Sequence, residues 1–237
     1  ISISMSMNLF YVQPDQVFGN QLTLTDQEAH HAGRVMRSSV GDVLHVVDGC
    51  GNRYKAEIVS VAQKQIELTV IDHEMVPPPK TELILAMGLI KKRQRMEFAV
   101  EKAVELGATE ILLFESRRTE RSKIRMDRLE NKALSAMKQS LRAWLPEIKL
   151  LPSLNAVMDL YSDVTTCIAH EKTEAGTDIP DTVIDKDTLL LVGPEGGFTE
   201  EEVEKAIENG AQKISLGPYR LRTETAAISL LSIIQQM

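Results

Sequence analysis

Two glycine-rich segments near the C-terminus each follow a short apolar run. The first, GPEGGFT at residues 193–199, follows residues 189–192, and the second, GPYRLRT at residues 217–223, follows residues 214–216. Glycine lets backbone groups approach a ligand without a Cβ in the way. Ligands of open α/β sheets bind beyond the carboxyl ends of the strands, so the two segments are predicted to wall one pocket. Neither matches GxGxxG or a GKS/GKT phosphate loop, which disfavours dinucleotide and P-loop sites.

Three charged residues in or beside these segments could take part in catalysis. Arg222 lies just before the predicted C-terminal helix, where its guanidinium could reach an anion or a carbonyl oxygen. Alternatively, it is a surface arginine paired with Glu224. Glu195 and Glu224 could accept a proton, although water could do the same. We predict Arg222 and Glu195 as catalytic residues, with Glu224 as a further candidate.

The chain divides at three consecutive prolines, residues 77–79, which cannot continue a helix or a central strand. We predict a first domain at residues 1–75, a stiff linker at 76–81 and a second domain at 82–237.

The first domain is predicted to be mostly β. Alternating or β-branched runs predict strands at residues 9–12, 43–48, 53–61 and 65–72. Turn residues at 48–52 predict a hairpin. A helix is predicted at 26–37, with a capping box formed by Thr25 and Glu28. Short strands with one helix indicate a small β-barrel.

Strands and helices alternate in the second domain. Apolar runs predict buried strands at residues 83–87, 111–114, 165–169, 189–192 and 214–216. Helices are predicted at residues 93–106, 126–145, 200–209 and 224–235. Thr199 and Glu202 are expected to cap the third of these helices. Apolar strands alternating with helices indicate a parallel α/β sheet covered on both faces.

Charge is unevenly distributed. The 237 residues have a net charge of −7, yet residues 91–142 hold fourteen Lys or Arg against eight Asp or Glu. Such a basic zone fits either contact with phosphate or a solvated helical face. The two cysteines and five histidines show no metal-ligand spacing, so no metal is predicted. Neither a signal-peptide pattern nor a membrane-length apolar run occurs, so a cytoplasmic protein is expected.

The segments LLLVGPEGGFTEEEV and ISLGPYRLRTETAAISLL resemble the paired C-terminal motifs of SPOUT methyltransferases, and specifically those of the RsmE family. Further similarity covers residues 30–37, 91–97, 102–108 and 119–122, so the resemblance extends over nearly the whole chain. That family methylates N3 of a uridine in small-subunit 16S rRNA with S-adenosyl-L-methionine (SAM). The resemblance implies a PUA-like first domain that helps hold RNA, a second domain with a deep trefoil knot that binds SAM, and a homodimer.

The resemblance also implies which residues hold SAM. The predicted cofactor-binding residues are Ala169, His170, Gly193, Pro194, Glu195, Gly196, Gly197, Leu216, Gly217, Leu221, Arg222, Thr223 and Ala226. Arg222 is expected to stabilise the uracil anion that forms when N3 loses its proton.

Two groups of basic residues are predicted to contact RNA phosphates. His30, Arg34 and Arg37 share one face of the helix at 26–37, although a histidine there could instead be structural. A second group lies before the helix at 126–145 and contains no aromatic residue, which favours backbone contact over base stacking. Its members are Arg117, Arg118, Arg121, Lys123 and Arg125.

Other functions remain open. One is a small-molecule α/β enzyme whose glycine loops take a phosphorylated ligand, and another is a non-catalytic RNA-binding protein. A SPOUT enzyme acting on another RNA or another base atom is a closer alternative. The last helix is apolar on nearly every side, so it must be covered within one subunit or by a second one.

Overall fold

A computed structural model describes residues 8–119, 124–170, 183 and 185–236. The chain forms two compact units. The first comprises the residues up to Pro78 together with residues 137–145, and the second comprises Pro79–Ala136 and the residues from Pro146 onward. The boundary falls within the proline run. Residues 137–145 belong to the first unit, whereas the sequence places them in the second domain.

The first unit is built on one six-stranded sheet. Its strands are β1 (Leu9–Tyr11), β2 (Val17–Phe18), β3 (Gln21–Thr25), β4 (Val43–Val47), β5 (Asn52–Val61) and β6 (Gln65–Met75). The order is β1-β4-β5-β6-β3-β2, with β1 parallel to β4 and the other neighbours antiparallel. The predicted hairpin joins β4 to β5, where the Asp48 carboxylate accepts hydrogen bonds from the backbone amides of Cys50 and Asn52.

The helix of the first unit is shorter than predicted. Helix α1 covers Asp26–His30, and His31–Val35 form a wider, π-helical turn. The predicted capping box is wrong, because the Thr25 side chain makes no cap hydrogen bond. The Glu28 carboxylate instead accepts from the backbone amide of Tyr11 at 3.0 Å and pairs with Lys138. The Glu28 carboxylate, which the local pattern predicts as part of the cap, thus binds residues distant in sequence.

The second unit contains the predicted parallel sheet. Its strands are β7 (Leu83–Gly88), β8 (Glu110–Phe114), β9 (Glu147–Leu151), β10 (Thr165–Ala169), β11 (Thr188–Val192) and β12 (Gln212–Ile214). All neighbours in the order β12-β10-β11-β7-β8-β9 are parallel. Its helices are α2 (Arg93–Glu105), α3 (Met126–Gln139), α4 (Leu154–Leu160), α5 (Glu200–Glu208) and α6 (Thr223–Ile234).

Helices cover both faces of this sheet. Strands β7 and β11 lie near its middle and are buried along their whole length, as expected for central parallel strands. On one face, Ile84 and Leu191 share a core cluster with residues of α4 and α5. Helix α6 contacts β7 and β11 and packs against α2.

The predicted helix at 126–145 is confirmed as far as Gln139 and is wrong over residues 140–145. Helix α3 ends at Gln139, and Leu141 has a φ of 58°, which a right-handed helix excludes. Strands β2, β3 and β9 and helix α4 have no counterpart among the predicted elements. Ser153 caps α4 by accepting from the amide of Ala156 at 3.2 Å. Strand β12 ends at Ile214, where the sequence predicts it to begin.

Candidate functional site

One cavity lies at the carboxyl edge of the parallel sheet. Strands β12, β10, β11 and β7 are neighbours in the same direction, so the segments that follow them meet at this edge. The cavity measures about 540 Å³ and is lined by residues from all four segments. Small-molecule and cofactor sites span ~300–1,000 Å³. Two of the four segments are named here: the first loop, residues 193–199, and the second loop, residues 215–222.

Close packing requires glycine around the first loop. A Cβ on Gly88, at the end of β7, would lie 2.5 Å from the backbone nitrogen of Pro194. A Cβ on Gly193 would lie 3.0 Å from the backbone nitrogen of Phe198. Gly197 has a φ of 70° and donates its amide to the carbonyl of Pro194 at 2.8 Å. The loop is therefore a tight turn pressed against the end of β7, and five of its residues line the cavity, namely Gly193, Pro194, Glu195, Gly197 and Phe198.

Side chains from another segment also brace the first loop. The guanidinium of Arg118 donates to the backbone carbonyls of Gly196 and Phe198, each at 3.1 Å. The Phe198 ring stacks on that of Phe114, with centroids 6.3 Å apart. A Cβ on Gly196 would approach the Cβ of Arg118 to 2.9 Å, so Gly196 faces Arg118 and is not among the residues lining the cavity.

A capped helix fixes the end of the first loop. The predicted capping box is confirmed, because Thr199 and Glu202 exchange backbone–side-chain hydrogen bonds at 2.8 and 3.2 Å. The Glu202 carboxylate also accepts from the hydroxyl of Ser116 and the amide of Arg117. Burial opposes its ionisation, but the bonds from these groups hold the pKa of Glu202 below its ordinary value.

The second loop is far more exposed. Gly217 has a φ of 109° with open space where a Cβ would be, a conformation that favours glycine. Tyr219 is 83% exposed and lies at the cavity. The Arg222 guanidinium is exposed and makes no hydrogen bond or salt bridge within the part of the chain that the structure describes. Arg222 is thus available to a ligand. It forms no salt bridge with Glu224, although its positive charge helps to lower the pKa of that carboxyl.

Arg95 of helix α2 lines the cavity and binds two carboxylates, that of Glu195 in the cavity lining and that of the buried Glu224. Its Nε and Nη2 donate to the two oxygens of Glu224 at 2.7 and 2.6 Å. Its Nη1 donates to Glu195 at 2.5 Å. The second oxygen of Glu195 accepts from the backbone amide of Lys91 at 3.1 Å. Each of the four carboxylate oxygens therefore has a donor.

This network bears on whether the two glutamates can act as proton acceptors. Burial opposes ionisation of Glu224, but the hydrogen bonds from Arg95 and from a backbone amide hold the pKa of its carboxyl below the ordinary value. The bond to Glu224 in turn raises the pKa of Arg95. A carboxylate with a lowered pKa is a weaker base, so the geometry disfavours Glu224 as proton acceptor. Glu195, predicted as catalytic, has Arg95 and Lys91 as partners.

The structure brings twelve of the thirteen predicted cofactor residues around this cavity, with Gly196 apart. They are Ala169, His170, Gly193, Pro194, Glu195, Gly197, Leu216, Gly217, Leu221, Arg222, Thr223 and Ala226. Five polar lining residues were not predicted, namely Lys91, Lys92, Arg95, Tyr219 and Arg220. The first three follow β7, which pairs with β11. A prediction that these two strands are neighbours would have indicated that the three residues line the cavity.

The predicted RNA-contacting residues lie in two places. In the first unit, His30, Arg34 and Arg37 are exposed. The first two, with Asp26, Gln27, Gln63 and Lys64, line a cavity of about 420 Å³.

In the second unit, the basic group has partners within the chain. Arg117 pairs with Glu201, and Arg125 pairs with Asp127. Arg118 braces the first loop, as described above. Arg121 and Lys123 lie outside the described residues.

Among the residues that the structure describes, no group of three or more His, Cys, Asp or Glu side chains is arranged to hold a metal ion. None of the helices formed by these described residues has the length and apolar character needed to cross a membrane.

Comparison with known proteins identifies the class. Residues 77–235 match the family model of the RNA methyltransferase domain, and residues 24–71 match that of the RNA methyltransferase PUA domain. The second unit thus belongs to the RNA methyltransferase domain family.

Individual relatives narrow the class. The ribosomal RNA small subunit methyltransferase E of Bacillus subtilis is 31% identical over 90% of this chain and 88% of its own length. The chain belongs to the ribosomal RNA small subunit methyltransferase E family.

Solved structures agree over the full length. A probable rRNA-methyltransferase from Porphyromonas gingivalis is 37% identical, with a TM-score of 0.87 and coverage of 97% of this chain and 98% of that one. A methyltransferase from Legionella pneumophila, in complex with SAM, is 29% identical, with a TM-score of 0.85 and coverage of 98% of both chains.

Proposed function

We propose that the protein methylates N3 of a uridine in the 16S rRNA of the small ribosomal subunit, with SAM as methyl donor. The observation that carries this proposal is one cavity enclosed by both glycine loops, with the Arg222 guanidinium exposed on its wall. Membership of the family supports SAM-dependent methylation of small-subunit rRNA. The choice of uridine N3 rests on the resemblance of the two C-terminal motifs.

The chemistry of the cavity fits SAM. The cofactor combines an apolar adenine and thioether with a charged amino-acid end, and the cavity wall mixes glycine backbone and apolar side chains with ionic groups. Backbone groups of Gly193, Gly197, Leu216 and Gly217, all of which line the cavity, would hold it. When bound, SAM supplies an electrophilic methyl group on a positively charged sulfur.

The residues around the uracil must position N3 and favour loss of its proton. Positioning a nucleophile in line with the methyl group lowers the entropic part of the barrier. The Arg222 guanidinium would stabilise negative charge on a uracil carbonyl oxygen as the N3 proton leaves. Because the oxygens of Glu195 and Glu224 already have donors, water is the acceptor that this site offers without breaking the network.

The second loop would also meet the base. Tyr219 is 83% exposed at the cavity, and a phenol ring so placed can stack on a splayed-out base. Lys91, Lys92 and Arg220 line the same cavity and can bind neighbouring phosphates. In the first unit, His30, Arg34 and Arg37 would contact RNA backbone, and Lys64 lines the same cavity as His30 and Arg34.

Three further properties belong to this proposal. The trefoil knot and the homodimer rest on the family resemblance. Exposed Phe98 of α2 and Ile233 of α6, two helices that pack together, support a subunit interface on that side. Light scattering should therefore give twice the mass of one chain. A cytoplasmic location follows from an rRNA substrate.

The test is transfer of labelled methyl from SAM to small subunits that lack native methylation, followed by nucleoside analysis. The expected product is 3-methyluridine, and Arg222→Ala should abolish most of the label. A different methylated nucleoside would overturn the N3 assignment and favour the alternative of another base atom. No label on subunits or free rRNA, with SAM binding intact, would overturn the substrate.

A further inference from the structure

Arg95 connects parts of the site that the chain separates widely. Arg95 lies in the first turn of α2, after β7. Its partners Glu195 and Glu224 are 100 and 129 residues away in the sequence. We infer that Arg95 is a positioning residue that joins the two loops into one SAM-binding surface. This inference rests on the proposed function.

The geometry links three segments through one side chain. Glu195 lies within the first loop, and Glu224 lies in the first turn of α6, directly after the second loop. The three N–H groups of Arg95 that bind them lie in the plane of one rigid guanidinium and point in different directions. Fixing both carboxylates to that plane sets the spacing between the loops, which is the width of the cavity that they enclose.

An arginine suits this position for a reason of shape. The planar guanidinium binds Glu224 through two parallel bonds and still presents Nη1 to Glu195. A lysine would keep the positive charge but offers a single ammonium, which cannot hold a bidentate pair and a second carboxylate in fixed directions. A Lys substitution therefore separates charge from geometry.

Burial makes the network effective. The side chains of Arg95 and Glu195 are 20% and 30% exposed, and that of Glu224 is 9% exposed. Such partly buried pairs are screened less by salt than surface pairs. Without Arg95, the carboxylates of Glu195, which lines the cavity, and of the buried Glu224 would lose the cation that they share. Their negative charges would repel, so the loops would separate.

The experiment measures SAM binding by calorimetry without RNA. We expect Arg95→Lys to weaken SAM binding about 10-fold and Arg95→Gln about 30-fold or more, on the scale of positioning defects. The control is Lys102→Gln, which removes a cation bound to Glu101 and Glu105 on the same helix. Its SAM affinity should stay within about twofold of wild type.

A double-mutant cycle separates positioning from general loss of stability. In the Arg95→Gln background, Glu224→Gln should restore part of the SAM affinity, because it removes the repulsion between carboxylates. At saturating SAM, Arg95→Lys should recover most of the wild-type kcat while its KM for SAM stays raised. Thermal melting of each variant reports folding independently.

Two outcomes would overturn the inference. One is wild-type SAM affinity in folded Arg95→Lys and Arg95→Gln. The other is strictly additive effects of Arg95→Gln and Glu224→Gln. Failure of wild-type protein to bind SAM would instead overturn the proposed function, so the two failures are distinguishable.

Discussion

The two loops of the cavity have similar positions in the sequence, since each follows a strand and precedes a helix. They differ in how the rest of the structure holds them. The first loop is braced on several sides. Arg118 donates to two of its carbonyls, and Phe198 stacks on Phe114. At the end of β7, the loop packs so closely on Gly88 that a Cβ there would clash with it. The second loop is exposed around Tyr219 and Arg222 and is anchored just after its end, where Glu224 binds Arg95.

This difference separates two requirements of a transferase. A cofactor that returns in every cycle is served by a preformed surface, because rigidity there reduces the entropic cost of binding. A large RNA must enter and leave, and the groups that meet it need access. We infer that the first loop and the backbone of the second loop bind SAM, whereas exposed side chains of the second loop mainly meet the base.

The largest effect should come from Arg222 in the second loop. Arg222→Ala should lower kcat about 100- to 1,000-fold, the range for removing one group that stabilises a developing anion. SAM affinity should change less than about threefold. Single-turnover methylation and calorimetry measure the two quantities. The matched control is Lys213→Ala on β12, an exposed cation away from the cavity lining. Equal losses of methylation and SAM affinity would make Arg222 a cofactor ligand and weaken the division between loops.

Tyr219 should come next, with an effect confined to RNA. Tyr219→Ala should raise KM for the subunit about 10-fold, within the ~1–3 kcal/mol that stacking on one base contributes. Tyr219→Phe keeps the ring and should stay near wild type. Steady-state kinetics with varied subunit concentration measure this. A phenylalanine variant as impaired as the alanine variant would assign the role to the hydroxyl.

Substitution of Arg118 tests whether the bracing of the first loop matters for SAM binding. Arg118→Ala removes two hydrogen bonds to loop carbonyls and should weaken SAM binding about fivefold, from roughly 1 kcal/mol of net hydrogen bonding. Arg117→Ala is the control, because Arg117 is exposed and pairs with Glu201. RNA binding across a salt series checks the earlier assignment of both residues to phosphate contact. Loss of RNA affinity without loss of SAM affinity would return Arg118 to that assignment.

The parts of this site that the sequence predicts are those fixed by local pattern. Thr199 and Glu202 are three residues apart and form their capping box, and glycines after short apolar runs of sequence mark both loops. Thr25 and Glu28 have the same spacing, but Glu28 binds Tyr11 and Lys138 instead. Arg95 was missed for the same reason, since no short pattern reveals partners a hundred residues away. The break at Leu141 carries neither glycine nor proline to indicate it.

The smallest effect concerns the buried carboxylate that anchors the first loop. Glu202 has a pKa below the ordinary value of 4.5. A carboxyl whose pKa is lowered on folding stabilises the folded state above its unfolded pKa, and that stability is lost as the pH falls through the folded pKa. Glu202→Gln keeps the shape but removes the negative charge that accepts hydrogen bonds from three donors, the Ser116 hydroxyl and the backbone amides of Arg117 and Thr199.

At pH 7 the variant should melt about 3 °C below wild type, from roughly 1 kcal/mol of lost hydrogen bonding to a charged group. The gap should shrink below pH 4.5, because the wild-type carboxyl then becomes protonated as well. Calorimetric melting from pH 3.5 to 7 measures the gap. Glu201→Gln, an exposed carboxylate one residue earlier, is the control and should show a smaller gap at every pH. A gap for Glu202→Gln that does not change with pH would mean that packing, and not charge, holds the rigid loop in place.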